Sequence, residues 1–471
     1  MHKQIVGYSK LVSYSIAFFL LFSCAEKNST SDDSSNNEDT IITYSRHIAP
    51  ILYNNCVSCH RPGQAGPFNL LTYKDALTAS NKIKFVTETR YMPPWPADPD
   101  YTHFIGERVL SEKEIQLIKK WVEQGKALGD STQIPALPKF YDGSFFWKPD
   151  LVIPLQKAIE LKGNGADHFL TVKLPYKITK DTFVSYFEFV PNKRKLIHHV
   201  NGHLISYNEN RKFDQFAGNS VLPDVRSNFK EQFSKMSLNY KDKLQPEFPQ
   251  LSPNAVYYLP GYTPPVYPAG VGGYSLKKNG AILLANIHYG PSSKDLLDSS
   301  YVNVFFAKSA PQRPIKELQL GTFGVAPIEP SLVIAPEEIK TFHTQWQTPE
   351  DISILSVNPH MHLIGKRMTA FALQPNGDTI KLIRIKNWDF RWQYYYTFPK
   401  MIKIPAGSVI HVYATYDNTS RNPNNPFHPP HTISEGEGNE SMQTTEEMLQ
   451  FIFSYLPYQP GDENISLQGK R

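Results

Sequence analysis

From residue 150 onward, short segments alternate apolar with polar or run apolar, at 182–190, 281–288, 352–357 and 409–416. Clusters of Pro, Gly and Asn separate them. Period-two patterning in short segments predicts strands, and strands punctuated in this way predict an all-β sandwich or barrel. The stretch is long for one sandwich, so two are predicted, divided near 310–325. Ahead of them the period changes. Ser111 and Glu114 have capping-box spacing, Ile115, Ile118, Trp121 and Val122 share one face, and Gly125 stands where a helix would stop. A Pro-rich link covers 134–138.

The N-terminus has its own pattern. Lys3 and Lys10 accompany a mostly apolar run over 11–22, too short to span a bilayer and suited to a cleaved signal. Leu21, Phe22, Ser23 and Cys24 read as a lipobox, with Cys24 as the lipidated first residue of the mature chain. Residues 26–40 are almost wholly polar and predict a disordered tether. The expected organisation is a lipoprotein signal peptide over 1–23, a tether over 24–40, a small all-α domain over 41–130, a linker over 131–149, and two β-sandwiches over 150–315 and 316–471. The expected location is the cell envelope, with the chain lipid-anchored to a membrane.

Composition narrows the picture. The chain has 471 residues, is 40% hydrophobic and 20% charged, and so should fold into packed cores. Its net charge is +5 without a Lys/Arg block, so nucleic acid is not an implied partner. The three cysteines are Cys24, Cys56 and Cys59, which excludes a disulfide-stapled scaffold.

Cys56, Cys59 and His60 form C-x-x-C-H. Two thiols at this spacing can form thioethers to both haem vinyls, with His60 beneath the iron, and an exported chain reaches the compartment where such attachment occurs. One covalent haem c is expected. Met92, in a Met-Pro-Pro-Trp run, is the expected sixth ligand, with His103 and His47 as rivals.

The fifteen histidines include the adjacent pair His198 and His199, the isolated His288 after an apolar run, and His360 and His362. Imidazole and thioether ligands suit copper. His360 and His362 at i and i+2 on a strand would point to one face, about 6–7 Å apart, with Met361 opposite. His198 and His199 would point to opposite faces, and can share a metal only at a strand end or a bulge. His203 lies too far along the strand from His199 to join it. From spacing alone, copper, zinc and an ordinary surface or core role all stay open. His343, His411, His428 and His431 read as surface or hydrogen-bonded core residues.

This order of motifs resembles the copper type II ascorbate-dependent monooxygenases, the peptidylglycine α-hydroxylating and dopamine β-monooxygenase group, over roughly residues 150–458. The family's HH and HYG motifs match His198-His199 and His288-Tyr289-Gly290. Its HxH matches His360 and His362. Its Thr/Ser-rich, acidic run ending in Met matches residues 444–448, with Met448 as the ligand and Met442 as a rival. CVSCHRPGQAGPFNLLTY, MPPWPADPDY and the helix ending WVEQG resemble the cytochrome c modules fused to such copper domains.

The resemblance implies a multidomain chain, a small all-α cytochrome c domain followed by two all-β, jelly-roll-like copper domains. It implies two copper ions. One, on His198, His199 and His288, would relay electrons. The other, on His360, His362 and Met448, would activate O2 and insert one oxygen atom into a C–H bond. The implied partners are O2, a small-molecule substrate and an external electron donor. Where the peptide-amidating enzymes carry an Arg that grips a peptide carboxylate, this chain has Asn358, so a peptide C-terminus is not the expected substrate. Asn286 replaces a Gln two positions before the isolated His. The expected function is an oxidoreductase that hydroxylates a small molecule. The alternatives are a haem and copper electron-transfer protein without oxygenase activity, or an anchored cytochrome with a β-sandwich binding module.

Overall fold

The computed structural model describes residues 41–471, apart from 141–142, 145–146, 208–213, 225–228, 239–248, 263, 266, 437–441 and 469–471. The expected signal peptide and tether, with Cys24, lie outside the described residues.

The helix expected from the Ser111–Glu114 spacing forms as α3, Glu112–Glu123, preceded by α1, Ala49–Asn55, and α2, Tyr73–Glu88; a fourth, α4, is Phe229–Lys235. The reciprocal capping box of Ser111 and Glu114 starts α3, and Ile115, Ile118 and Trp121 are its buried stripe. Thr72 and Asp75 start α2 in the same way. Gly125 follows α3 with φ +93, a conformation that costs a glycine little.

The strands pair antiparallel in two groups. In the first group, Leu151–Pro154, Tyr301–Phe306, Thr182–Val190 and Tyr274–Leu276 form one sheet. The second sheet runs Val221–Pro223, His168–Pro175, Ala281–Tyr289, Ile197–Ser206, Gln250–Leu251. Their facing apolar residues, among them Val172, Val184, Val200, Ile282 and Val304, make one core. The second group pairs Lys316–Gly321, Gln450–Pro457, Ile352–His360 and Tyr396–Ile404 in one sheet, and Ile339–Gln347, Val409–Asp417, Gly365–Leu373 and Thr379–Ile385 in the other, around a second core that includes Phe342, Phe398 and Phe453. Among the described residues, no helix is long and apolar enough to cross a membrane.

The expected fold class is corrected here. The chain is mostly β, 35% strand against 13% helix, and no clear all-α cytochrome domain stands ahead of two independent jelly-roll domains. Ile42–Arg471 is one compact unit. Residues 95–108 are built into the second sheet group. Ala97 and Phe104 belong to its core, Ala97 pairs with Ile385, and Ile105 N donates to Thr397 O at 2.8 Å. The Asp98 carboxylate, almost wholly buried, meets Arg384 and Lys386 of that group. Leu259, from the first group, enters the same core. The separation failed because residues 91–108 carry no period, and periodicity reports only which face an element buries, not which sheet it is buried against.

Phe104 lies 5.0 Å from the Tyr396 ring and 5.1 Å from Phe398, centroid to centroid. Phe104→Ala should therefore destabilise the sheets themselves, by about 3–5 kcal/mol. Urea unfolding followed by the far-ultraviolet β signal measures this; a sheet transition that does not move would return residues 95–108 to a separate domain.

Candidate functional site

The first cluster forms where Ile197–Ser206 pairs with Ala281–Tyr289. His288 is opposite His199, and the register shifts on both sides of His288. The bulge places Asn286 at φ +55. With His198 and His199 near the start of their strand, both rings approach His288, at centroid distances of 4.5 and 5.1 Å. A Cβ on Gly290 would meet His198 Nε2 at 2.6 Å, so the small residue after Tyr289 makes room for that ring.

Asp167 is a member of this cluster that sequence reasoning missed. Its Oδ1 is 2.8 Å from His288 Nε2, and Phe169 stacks on the His288 ring at 4.2 Å. One ligand atom each from Asp167, His198 and His288 lie within 4.8 Å of one another. Asp167 is 121 residues from His288 and stands in no motif, so no signal along the chain pointed to it. Hydrogen bonding to His288 holds its carboxyl below the usual range. Burial, then neighbouring His288, pushes His198 down to about 4 and His199 well below the usual imidazole value.

The second cluster stands at the end of Ile352–His360. His360 Nδ1 is bonded to Gln393 Oε1, and His362 Nδ1 lies 2.9 Å from the Glu446 carbonyl oxygen. Each ring thus donates from Nδ1 and keeps the Nε2 lone pair. The two centroids are 5.1 Å apart. Met361 is turned away into the core, as alternation required. Burial pushes His360 down to about 3 and His362 to about 4.

Glu447 ties this cluster to Met448. Its carboxylate accepts from His362 N at 2.9 Å, Ile364 N at 2.8 Å and Met448 N at 3.3 Å. Burial nevertheless pushes its carboxyl up to about 8. Tyr416 donates to Met448 O at 2.6 Å and Trp388 Nε1 to His362 O at 3.1 Å, so the second sheet group holds each of the two segments that Glu447 joins.

His199, His360, His362 and Met448 line one cleft of about 590 Å³. Met442 lines it as well. The Phe390 ring lies between the clusters, 6.4 Å from His288 and 5.8 Å from His362. His203, bonded through Nδ1 to Ser252 O at 2.9 Å, is elsewhere on the wall. His343 and His411 sit away from the cleft, 3.0 Å apart between Nε2 and Nδ1.

Cys56, Cys59 and His60 form a turn after α1, with His60 N donating to Cys56 O at 2.9 Å. His60 Nδ1 lies 3.0 Å from Phe68 O, which leaves Nε2 free. A Cβ on Gly66 would press on His60 Nδ1 at 2.8 Å. Both cysteines are unpaired, and burial raises the Cys56 thiol to about 12. Met92 begins the loop after α2, and Trp95 in that loop packs on Tyr394 and Tyr396 at 5.3 and 5.4 Å. Trp95 Nε1 is a buried donor without an acceptor. Of the rivals to Met92, His47 Nδ1 receives Thr43 N at 3.0 Å, and His103 is exposed and paired with Glu107. Cys59 faces the sheets: a Cβ on Gly261 would lie 3.1 Å from its sulfur.

No protein-family model matches the chain, and no curated protein matches it. Among solved structures, similarity extends to that of infectious bursal disease virus Gt strain and to the VP2 subviral particle of infectious bursal disease virus. Each is 10% identical and covers 70% of this chain and 87% of the other, with TM-scores of 0.15 and 0.14. Scores this low carry no argument about fold or function.

An unfolded imidazole takes up a proton near pH 6.5, whereas buried His360 refuses it until about pH 3. The stability that His360 contributes is therefore fully present above about pH 6.5 and is lost as pH falls toward the folded value. Glu447 and other acids with raised values shift the opposite way, but they cancel in a comparison of two chains. Relative to His360→Gln, the unaltered metal-free chain should lose stability from pH 6.5 to 4. Urea midpoints across that range test this, and parallel profiles would contradict a buried, uncharged His360.

Proposed function

We propose that this chain is a haem- and copper-containing oxidoreductase that hydroxylates a small molecule with O2, in the manner of the copper type II ascorbate-dependent monooxygenases that it resembles. The observation that carries the reading is the pair of imidazole clusters beside one cleft, lined by His199, His360 and His362: burial holds those three rings below the usual imidazole value, and hydrogen bonds orient His288, His360 and His362. Deprotonated, oriented imidazoles are what a transition-metal site requires.

The residues fit the groups. Cys56 and Cys59 would hold haem c with His60 as a ligand to its iron, and Met92 is the candidate for the other ligand; the group would supply one-electron transfer. His198, His199 and His288 would hold one copper, and His360, His362 and Met448 the other. Met448 is preferred to Met442 because Glu447 ties its backbone directly to that of His362. When bound, these groups supply one-electron transfer and the activation of O2. The balanced reaction takes R–H, O2, two electrons and two protons to R–OH and water, with both electrons from an external donor.

The protein's own part is positional. Gln393 and the Glu446 carbonyl orient His360 and His362, Asp167 orients His288, and Phe390 keeps the clusters apart. Asn358 donates to Tyr394 O at 2.9 Å, so it does not replace a carboxylate-gripping Arg. A lipid anchor at Cys24 would place the protein in the cell envelope.

The test is the stoichiometry of chain matured with haem-attachment machinery and loaded with copper. One haem and two coppers are expected. His360→Ala should lose one copper and all coupled O2 use, with the haem spectrum unchanged. Copper at background, or O2 use unaffected by the substitution, would overturn the reading.

A further inference from the structure

We propose that the cleft takes an uncharged, hydroxyl-rich small molecule, of the sugar or polyol class, and that Asn286 and Glu317 anchor it. The inference names a substrate class for the cleft and so rests on the reading above.

Charge is the first argument. None of the described residues lining the cleft is Lys or Arg, whereas Asp167, Asp224 and Glu317 all line it. A carboxylate or phosphate brought into this space would lose its hydration and meet acids and uncharged imidazoles. Before copper is loaded, an anionic molecule is disfavoured on these grounds.

The second argument is hydrogen-bonding character. Eight of the lining residues are Asn or Gln. A side-chain amide both donates and accepts, and so does a hydroxyl group, whereas an ammonium group only donates. A wall of amides therefore matches many hydroxyls better than one amine. Tyr257, Tyr395 and Phe390 add aromatic faces against which the C–H side of a sugar ring can pack. The volume of about 590 Å³ has room for a disaccharide.

The third argument is an acceptor left waiting. Asn286 Oδ1 is buried and has no hydrogen-bond partner. Such an atom is costly to bury unless something donates to it. It stands at the bulge beside His288, in a left-handed conformation that Asn tolerates better than most residues. Glu317 lines the same wall. Its one backbone donor is Asn254 N, at a long 3.3 Å, and burial among tyrosines pushes its carboxyl up to about 7. An unpartnered acceptor and a carboxyl held by one long hydrogen bond, in one amide-lined wall, are what a ligand with several hydroxyls would complete.

The experiment is calorimetric titration of the full chain before copper loading. The probes are a panel of neutral mono- and disaccharides and polyols, with glucosamine and glucuronate as charged counterparts of glucose. At least one neutral member should bind. Asn286→Gly, which accepts the positive φ, and Glu317→Gln, which keeps the shape, should each weaken that binding tenfold or more, with unchanged circular dichroism. The proposal is overturned if no neutral member binds, if a charged counterpart binds more tightly than its neutral parent, or if both variants bind like the unaltered chain. The titration involves neither copper nor turnover, so its failure leaves the redox reading standing, and failure of the redox reading leaves the binding result standing.

Discussion

His199, His360 and His362 must be buried at one cleft without taking up protons, and the surrounding structure answers that constraint. Burial alone would leave each ring free to turn and either nitrogen free to carry the hydrogen. At His360 and His362 an acceptor is supplied at Nδ1, by Gln393 and by the Glu446 carbonyl, so the other nitrogen keeps its lone pair. At His288 the arrangement is reversed, because Asp167 meets Nε2. His288 thus offers Nδ1, where His360 and His362 offer Nε2.

The same constraint explains the role of the chain around 388–396. Trp388 donates to His362 O, Phe390 stands between the clusters, Gln393 orients His360, and Tyr394 donates to Pro94 O at 3.1 Å. One irregular segment therefore touches both imidazole clusters and the loop that carries Met92 and Trp95. That is why the helical part of the chain is not an appendage. Arg391 reinforces the contact by reaching the Tyr91 ring. The loop carrying Met92 and the cleft are joined by packed side chains rather than by a tether.

Much of this was legible along the chain where the signal is local. The start of α3 followed from Ser111 and Glu114, three residues apart. The placement of His360 and Met361 on opposite sides followed from alternation. The condition for His198 and His199 to cooperate, a strand end or a bulge, is the geometry they adopt. What escaped was non-local. Asp167, Gln393 and Glu447 lie 121, 33 and 85 residues from the histidines they contact, and no pattern joins such positions before the sheets form. The independent all-α domain failed for the same reason, since Ala97 and Phe104 give no sign in sequence of the sheet that receives them.

The central claim is that the two clusters are separate one-metal sites facing each other across a single cleft. Anomalous diffraction at the copper edge, from crystals of the copper-loaded chain, tests it most directly. The account predicts two unbridged peaks per chain, one among His198, His199 and His288 and one among His360, His362 and Met448. A single peak shared between the clusters, or a peak at neither, would contradict it.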